Sequence, residues 1–229
     1  MDRLKEVIES YMSEVPEVIE CCNRCLNVER YGGDVVLMIV DASFVSIGLN
    51  YFNAVIPKVF EFRERFVDSG KIRALKDLAK HDTDELTQIW KNRRSWNTAK
   101  EIASYLSKID RDDRIALIKW AKNSSLEKWK KDPVGRIKGV GINTYQYLRM
   151  MGGVDTVMPD KIVKKVFREI SEKAGIEVPD DNVEFVKKIE EIGKLTGYRP
   201  IELCWMTWLV QYEGDEMRIR KYAEIMKKI

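Results

Sequence analysis

Histidine is almost missing from this chain: among 229 residues His81 stands alone, beside only four cysteines. Cys21, Cys22 and Cys25 lie close together, but with no second cysteine pair nearby they fall short of a metal-ligand set. Buried thiols are therefore expected, and neither a metal nor a cofactor is called for. His81, next to Asp82 in a polar connection, reads as exposed rather than catalytic. No apolar run is long enough to span a bilayer. There is no secretory signal either, because residues 1–10 read as a charged amphipathic helix; a cytoplasmic protein without membrane contacts is the expectation. Strand-like alternation is scarce, and no internal repeat or low-complexity linker appears. No carboxylates cluster at the spacing two metal ions need, which counts against a nuclease. Charge of one sign is not in excess, since 40 Lys and Arg against 37 Asp and Glu leave a net charge of +3. Any surface for nucleic acid must therefore be local.

What is present reads as helix nearly throughout, so an all-α fold is expected, with an apolar fraction sufficient for a real core. Proline and glycine fall mostly at breaks, among them Pro16, Gly32-Gly33, Gly70, Pro133, Gly152-Gly153 and Gly175. Asp34 is placed to cap an apolar helix from Val35 to about Asn50, Ser95 to cap one through Ile109, and Thr83 to begin another. The C-terminal stretches 183–195, 200–212 and 215–229 are periodic and read as covering helices.

The segment from Arg136 to Phe167 carries the chemistry. A Gly-Val-Gly turn, Gly139-Val140-Gly141, separates two helical segments, and its missing side chains let a phosphate approach the N–H groups that open the next helix. Such a turn holds a nucleic-acid backbone without reading sequence. Ile142, Tyr145, Leu148 and Met151 share one face of that helix, with Gln146 and Arg149 near its edge, and Gly152-Gly153 stops it. Pro159-Asp160 then opens a helix whose Ile162, Val163, Val166, Phe167 and Ile170 face inward. A basic run, Lys119, Lys122, Lys128, Lys130, Lys131, Arg136 and Lys138, lies just before the turn; alone it is as readily a solvated face, and beside the turn it favours phosphate contact.

Over roughly Val35 to Ile170 these residues resemble the helix-hairpin-helix DNA glycosylases, the superfamily of endonuclease III. Ile-Lys-Gly-Val-Gly-Ile-Asn-Thr-Tyr stands where that family has its hairpin, and Met-Pro-Asp-Lys-Ile-Val where it has an essential aspartate. The segment Leu75 to Leu106 resembles the acidic helix, turn and helix found upstream. The resemblance implies a two-lobed all-α fold, with residues 35–154 as a central lobe ending in the hairpin and residues 1–34 and 155–229 as the second lobe. It further implies contacts to double-stranded DNA from Lys138, Gly139, Val140, Gly141, Ile142, Asn143 and Thr144, with Asp160 as the catalytic carboxylate. Two departures matter. Asn143 replaces the lysine with which bifunctional members form a Schiff base, and Cys204 stands alone where the iron–sulfur branch needs four closely spaced cysteines.

Each candidate also has a purely structural role open to it. Asp160 precedes a helix and fits an N-cap, a position compatible with catalysis because the helix N-terminus favours an ionised carboxylate. Asp41 interrupts the apolar run Val-Leu-Met-Ile-Val-Asp-Ala-Ser-Phe and belongs either to a buried ion pair or to a base pocket. Asn143 either serves the helix start or, as the family implies, sits at the pocket mouth. Trp96 is a candidate for stacking on an extruded base, whereas Trp205 and Trp208, at i and i+3, read as core. Two functions follow: a monomeric, monofunctional DNA glycosylase in base-excision repair, or a non-catalytic module that recognises bent or damaged duplex.

Overall fold

Residues 35–44 are apolar on every side of a helix except at Asp41 and Ser43, and a helix without a polar face has to lie inside the molecule. The computed structural model, which describes residues 2–45, 48 and 50–229, places them so: Val35–Val45 (α3, counting Asp2–Ser13 as α1 and Val18–Leu26 as α2) is buried from Val35 to Phe44. The Asp34 carboxylate accepts from the Leu37 N–H at 3.1 Å and caps it. The expected extension towards Asn50 runs into residues outside the described set. From Tyr51 the chain forms one helical rod in which Ile56–Phe62 (α4) is flanked by wider π-type turns at Tyr51–Val55 and Arg63–Val67.

Around α3 pack Leu75–Lys80 (α5), Arg93–Leu106 (α7), Asp113–Asn123 (α8) and Ile142–Met151 (α9), with the single turn Thr83–Leu86 (α6) against α7. Asn92, not Ser95, caps α7, accepting from the N–H groups of Arg94 and Ser95, and Asp82 precedes and caps α6. A second group forms around another helix buried on most sides, Pro200–Leu209 (α12), against which pack α2, Lys161–Ala174 (α10) and Asn182–Thr196 (α11), while α1 lies on α10 and α11. The two groups meet where α9 touches both α3 and α2, and one apolar core runs through both. The fold is all-α and two-lobed; among the described residues the strand content is one short hairpin pairing Tyr212–Glu213 with Glu216–Met217.

That hairpin corrects one expectation. The stretch 215–229 is not a single covering helix but a strand followed by two one-turn helices, Arg218–Lys221 (α13) and Ala223–Met226 (α14). A second correction concerns the segment ahead of Gly139, which is a run of single turns and not a continuous helix, with bonds such as Lys131 N–H to Lys128 O and Arg136 N–H to Asp132 O. Pro133 has no N–H to give, and a Cβ on Gly135 would lie 1.8 Å from the Trp129 carbonyl oxygen, so only glycine allows this close winding.

Candidate active site

The two hairpin glycines do different things. Gly139 has φ +104°, and a Cβ there would meet the Thr98 Oγ1 of α7 at 2.3 Å. Thr98 Oγ1 in turn donates to the Lys138 carbonyl at 2.9 Å, so the turn is moulded onto α7. Gly141 corrects the expectation of special backbone angles: it is ordinary extended chain, φ −98° and ψ 177°, and the N-cap of α9. What it supplies is open space, since a Cβ there would touch nothing, together with the lack of any capping side chain. The leading N–H groups of α9 thus face an unobstructed approach, an arrangement suited to an anion. Lys138, Gly141 and Asn143 are exposed there, while Val140, Ile142 and Thr144 turn inward. All seven lysines and arginines of the preceding basic run are exposed.

From the hairpin, α9 leads to Asp160 through a clamped connection. Gln146 and Arg149 are not at a helix edge but buried: Gln146 Nε2 donates to Thr156 Oγ1 at 2.7 Å and to the Val157 carbonyl at 3.1 Å, and Arg149 donates to Gln146 Oε1 and Ser124 Oγ. Asp155 Oδ1 accepts from the Ile201 N–H at the start of α12. Held at both points, the chain delivers Pro159-Asp160 to the top of α10. Asp160 Oδ1 caps that helix, accepting from the N–H groups of Ile162 at 2.7 Å and Val163 at 2.9 Å. Its Oδ2 accepts from the indole Nε1 of Trp208 at 2.8 Å. Burial raises the Asp160 pKa above the usual carboxylate value, against the pull of those donors and of the nearby Arg218.

Trp208 and Met158 open from this carboxylate into an apolar cleft whose walls are aromatic: Tyr51, Tyr147, Trp205 and Trp208, with Val45, Met158 and Cys204 completing it. Its free space is about 20 Å³, room for one water and far below the roughly 300–1,000 Å³ of ordinary ligand pockets. Asn143 stands one turn before Tyr147 on α9, and the i, i+4 spacing puts both on one face.

Beneath the cleft lies Asp41, fully buried and in an ion pair with Arg30 at 3.3 Å. Its Oδ2 also accepts from the hydroxyls of Tyr147 at 2.8 Å, Tyr31 at 2.9 Å and Tyr51 at 3.0 Å. Tyr31 reaches it from a left-handed backbone, φ 53°, a conformation costly for an aromatic residue. Burial pushes the Asp41 pKa up, and the Arg30 guanidinium and the three hydroxyls oppose that shift. Asp41 therefore does not line the cleft; it holds Tyr51 and Tyr147, which do. Trp96 is corrected outright. It is fully buried, donates to the Trp90 carbonyl at 2.8 Å, and packs on Phe44 and Phe62 in the core of the α3 and α7 group.

Trp205 and Trp208 belong to the cleft as well as to the core, and the i, i+3 pattern could not separate those roles. Cys21, Cys22, Cys25 and Cys204 are free and buried, and burial pushes the Cys25 thiol up to about 12. Among the described residues no three His, Cys, Asp or Glu side chains converge on a metal-sized site, and no helix is long and apolar enough to cross a membrane.

A glycine turn moulded on one helix group, a capping aspartate on the other, and a cleft where they meet make up the helix-hairpin-helix DNA glycosylase fold. The chain is similar to the crystal structure of the 8-oxoguanine DNA glycosylase of Thermotoga maritima, with TM-score 0.56 and 17% identity over 93% of this chain and 98% of that one. At that identity the likeness carries the fold. No protein-family model and no curated protein matches the sequence.

Proposed function

We propose that this protein is a monofunctional DNA glycosylase that releases a damaged or mispaired base from double-stranded DNA, acting as a monomer in the cytoplasm or nucleoid. The lobes are taken as residues 35–154 and residues 1–34 with 155–229. The observation that carries the reading is Asp160: a carboxylate with one oxygen fixed by a helix N-terminus and the other by Trp208, at the edge of an aromatic cleft.

In this mechanism the open amides of α9 and the basic run hold phosphates, and a nucleotide whose pairing is already weak is extruded at a cost of a few kcal/mol. Aromatic walls then stack on the base. As the N-glycosidic bond breaks, positive charge grows on the sugar; ionised Asp160 stabilises it and orients or activates the water that adds to it. With an amide at position 143 no Schiff base forms there, and the product is an intact abasic site.

One observation favours a second reading. The cleft is closed to a base in the free chain, as it would be in a helix-hairpin-helix module that recognises bent or damaged duplex without chemistry. For the glycosylase reading Trp208 or a neighbouring wall must swing aside when a nucleotide enters. A panel of duplexes, each with one modified or mismatched base, incubated without divalent ions and scored with and without alkali, separates the two. Alkali-dependent breaks at one lesion support the glycosylase; tight binding to damaged duplex without base release from any member supports the module.

A further inference from the structure

Arg218 lies in a segment that sequence periodicity assigns to a plain covering helix, yet its side chain comes back over Trp208, the partner of Asp160. Its guanidinium sits over the ring of Trp208, 5.4 Å from the centroid, and Trp208 is the residue that donates to Asp160 Oδ2. The arginine is held there by Glu213, whose Oε1 accepts from Arg218 Nε at 3.1 Å. Glu213 is itself a hub. It accepts from Asn50 and Asn53 at 3.2 and 3.3 Å and from the Tyr222 hydroxyl, and it pairs with Lys221 at 3.5 Å. Burial alone would raise its pKa, but these donors and Arg218 outweigh that and bring it down to about 2, so it stays charged under ordinary conditions. Arg218 Nη1 is buried without a hydrogen-bond partner among the described residues. Surface arginines do not ordinarily leave a buried N–H unused, because an unmade bond costs about 1–3 kcal/mol.

We propose that Arg218 is a positioning residue for the reaction at Asp160: clamped by Glu213 across Trp208, it sets a fixed positive charge near the carboxylate and holds the Trp208 contact in place. The proposal rests on the glycosylase reading for its purpose but not for its test. Several other groups face Asp160. From α12 come the Trp208 indole and the Cys204 thiol, which burial keeps protonated. From α10 come the Ile162 and Val163 N–H groups, and across the cleft Tyr51 packs edge-on to Trp208. Arg218 is a positive charge that acts on Asp160 and opposes the effect of its burial. Without it, the burial of the carboxylate is opposed less strongly.

The Trp208 indole N–H reports the charge of its acceptor directly, so a nitrogen-15 NMR titration of the free protein needs no substrate. The resonance is assigned by its loss in Trp208→Phe. In Arg218→Met the midpoint of its titration should move to higher pH, and in Arg218→Lys, which keeps the charge, it should stay near the wild-type value. Arg218→Gln, which can still bond Glu213, should behave like Arg218→Met and serves if the Met variant folds poorly. An unchanged midpoint in a folded Arg218→Met or Arg218→Gln protein overturns the proposal and leaves Arg218 as an anchor of the C-terminal hairpin. Failure of the glycosylase reading shows elsewhere, as a duplex panel from which no base is released, and leaves this midpoint untouched.

Discussion

Replacing Asp160 with Asn separates cap from catalyst, because the two carboxylate oxygens have separate partners. Asn Oδ1 can still accept from the N–H groups of Ile162 and Val163, so the N-cap, worth about 1 kcal/mol, is retained. The other position becomes an NH₂ facing the Trp208 N–H, donor against donor, and the unsatisfied indole costs about 1–3 kcal/mol. Relief from burying a charge offsets part of that, so the net loss is small beside a total stability of about 5–15 kcal/mol and the variant stays folded. The offset depends on pH. The folded-state pKa of Asp160 is raised, so its contribution to stability is present below the usual Asp range and lost as pH rises through the raised value. The stability deficit of Asp160→Asn should accordingly shrink across that window, as denaturant unfolding at a series of pH values will measure. Catalysis should respond far more. Loss of one preorganised electrostatic group costs about 100- to 1,000-fold in rate, read as single-turnover base release on the lesion identified by the duplex panel. Wild-type release should itself fall as pH drops through the raised Asp160 value. A folded Asp160→Asn protein with wild-type turnover would refute the argument and reduce the carboxylate to a cap.

Duplex affinity should fall steeply as salt rises, and Gly141→Asp should weaken it and make that fall shallower while leaving thermal stability intact, because its Cβ enters open space and aspartate is a good N-cap. Gly139→Ala should instead destabilise by about 1–3 kcal/mol, since the backbone is left-handed and Thr98 blocks the Cβ; equal effects of the two substitutions in melting and binding assays would contradict this. Wild-type protein should leave abasic sites that break only in alkali, and borohydride should trap no covalent adduct, as Asn143 cannot form a Schiff base; efficient trapping would redirect attention to Lys138 and Lys161. Asp41→Ala strands Arg30 as a buried unpaired charge, which costs about 3–5 kcal/mol, so calorimetry should show a melting temperature lower by roughly 10 °C; an unchanged value would mean the cluster is not held as described.

Local signals found what is local. Pro159-Asp160 ahead of an amphipathic run marks an N-cap in any sequence, and the cap is there. The uninterrupted apolar stretch from Val35 marks a central helix, and it is central. Glycine at 139 and 141 was legible as a turn, but whether each glycine serves backbone angle or open space depends on α7, a neighbour about 40 residues away that no spacing rule reveals. Tryptophans were the weakest point. Trp96 and Trp208 both sit at helical spacing, and only the fold sends one to the core and the other to Asp160, 48 residues upstream. Arg218 was hidden because alternating charge and apolar residues after Asp215 fit an amphipathic helix; the strand at Glu216–Met217 breaks that period and turns the arginine inward.

The cluster around Arg30 also bears on how the molecule comes into being. One guanidinium stacks over Tyr31, Tyr147 and Trp205 and bonds Asp41 and Tyr51, so it draws on residues spread over most of the chain's length. While the polypeptide emerges from the ribosome, Asp41 and Arg30 appear early, but their burial stays unfavourable until α9 and α12 arrive to close over them. A partly synthesised chain therefore gains little by collapsing around this charge pair, and the floor of the cleft can set only once α12 has been made and Trp205 has closed over Arg30.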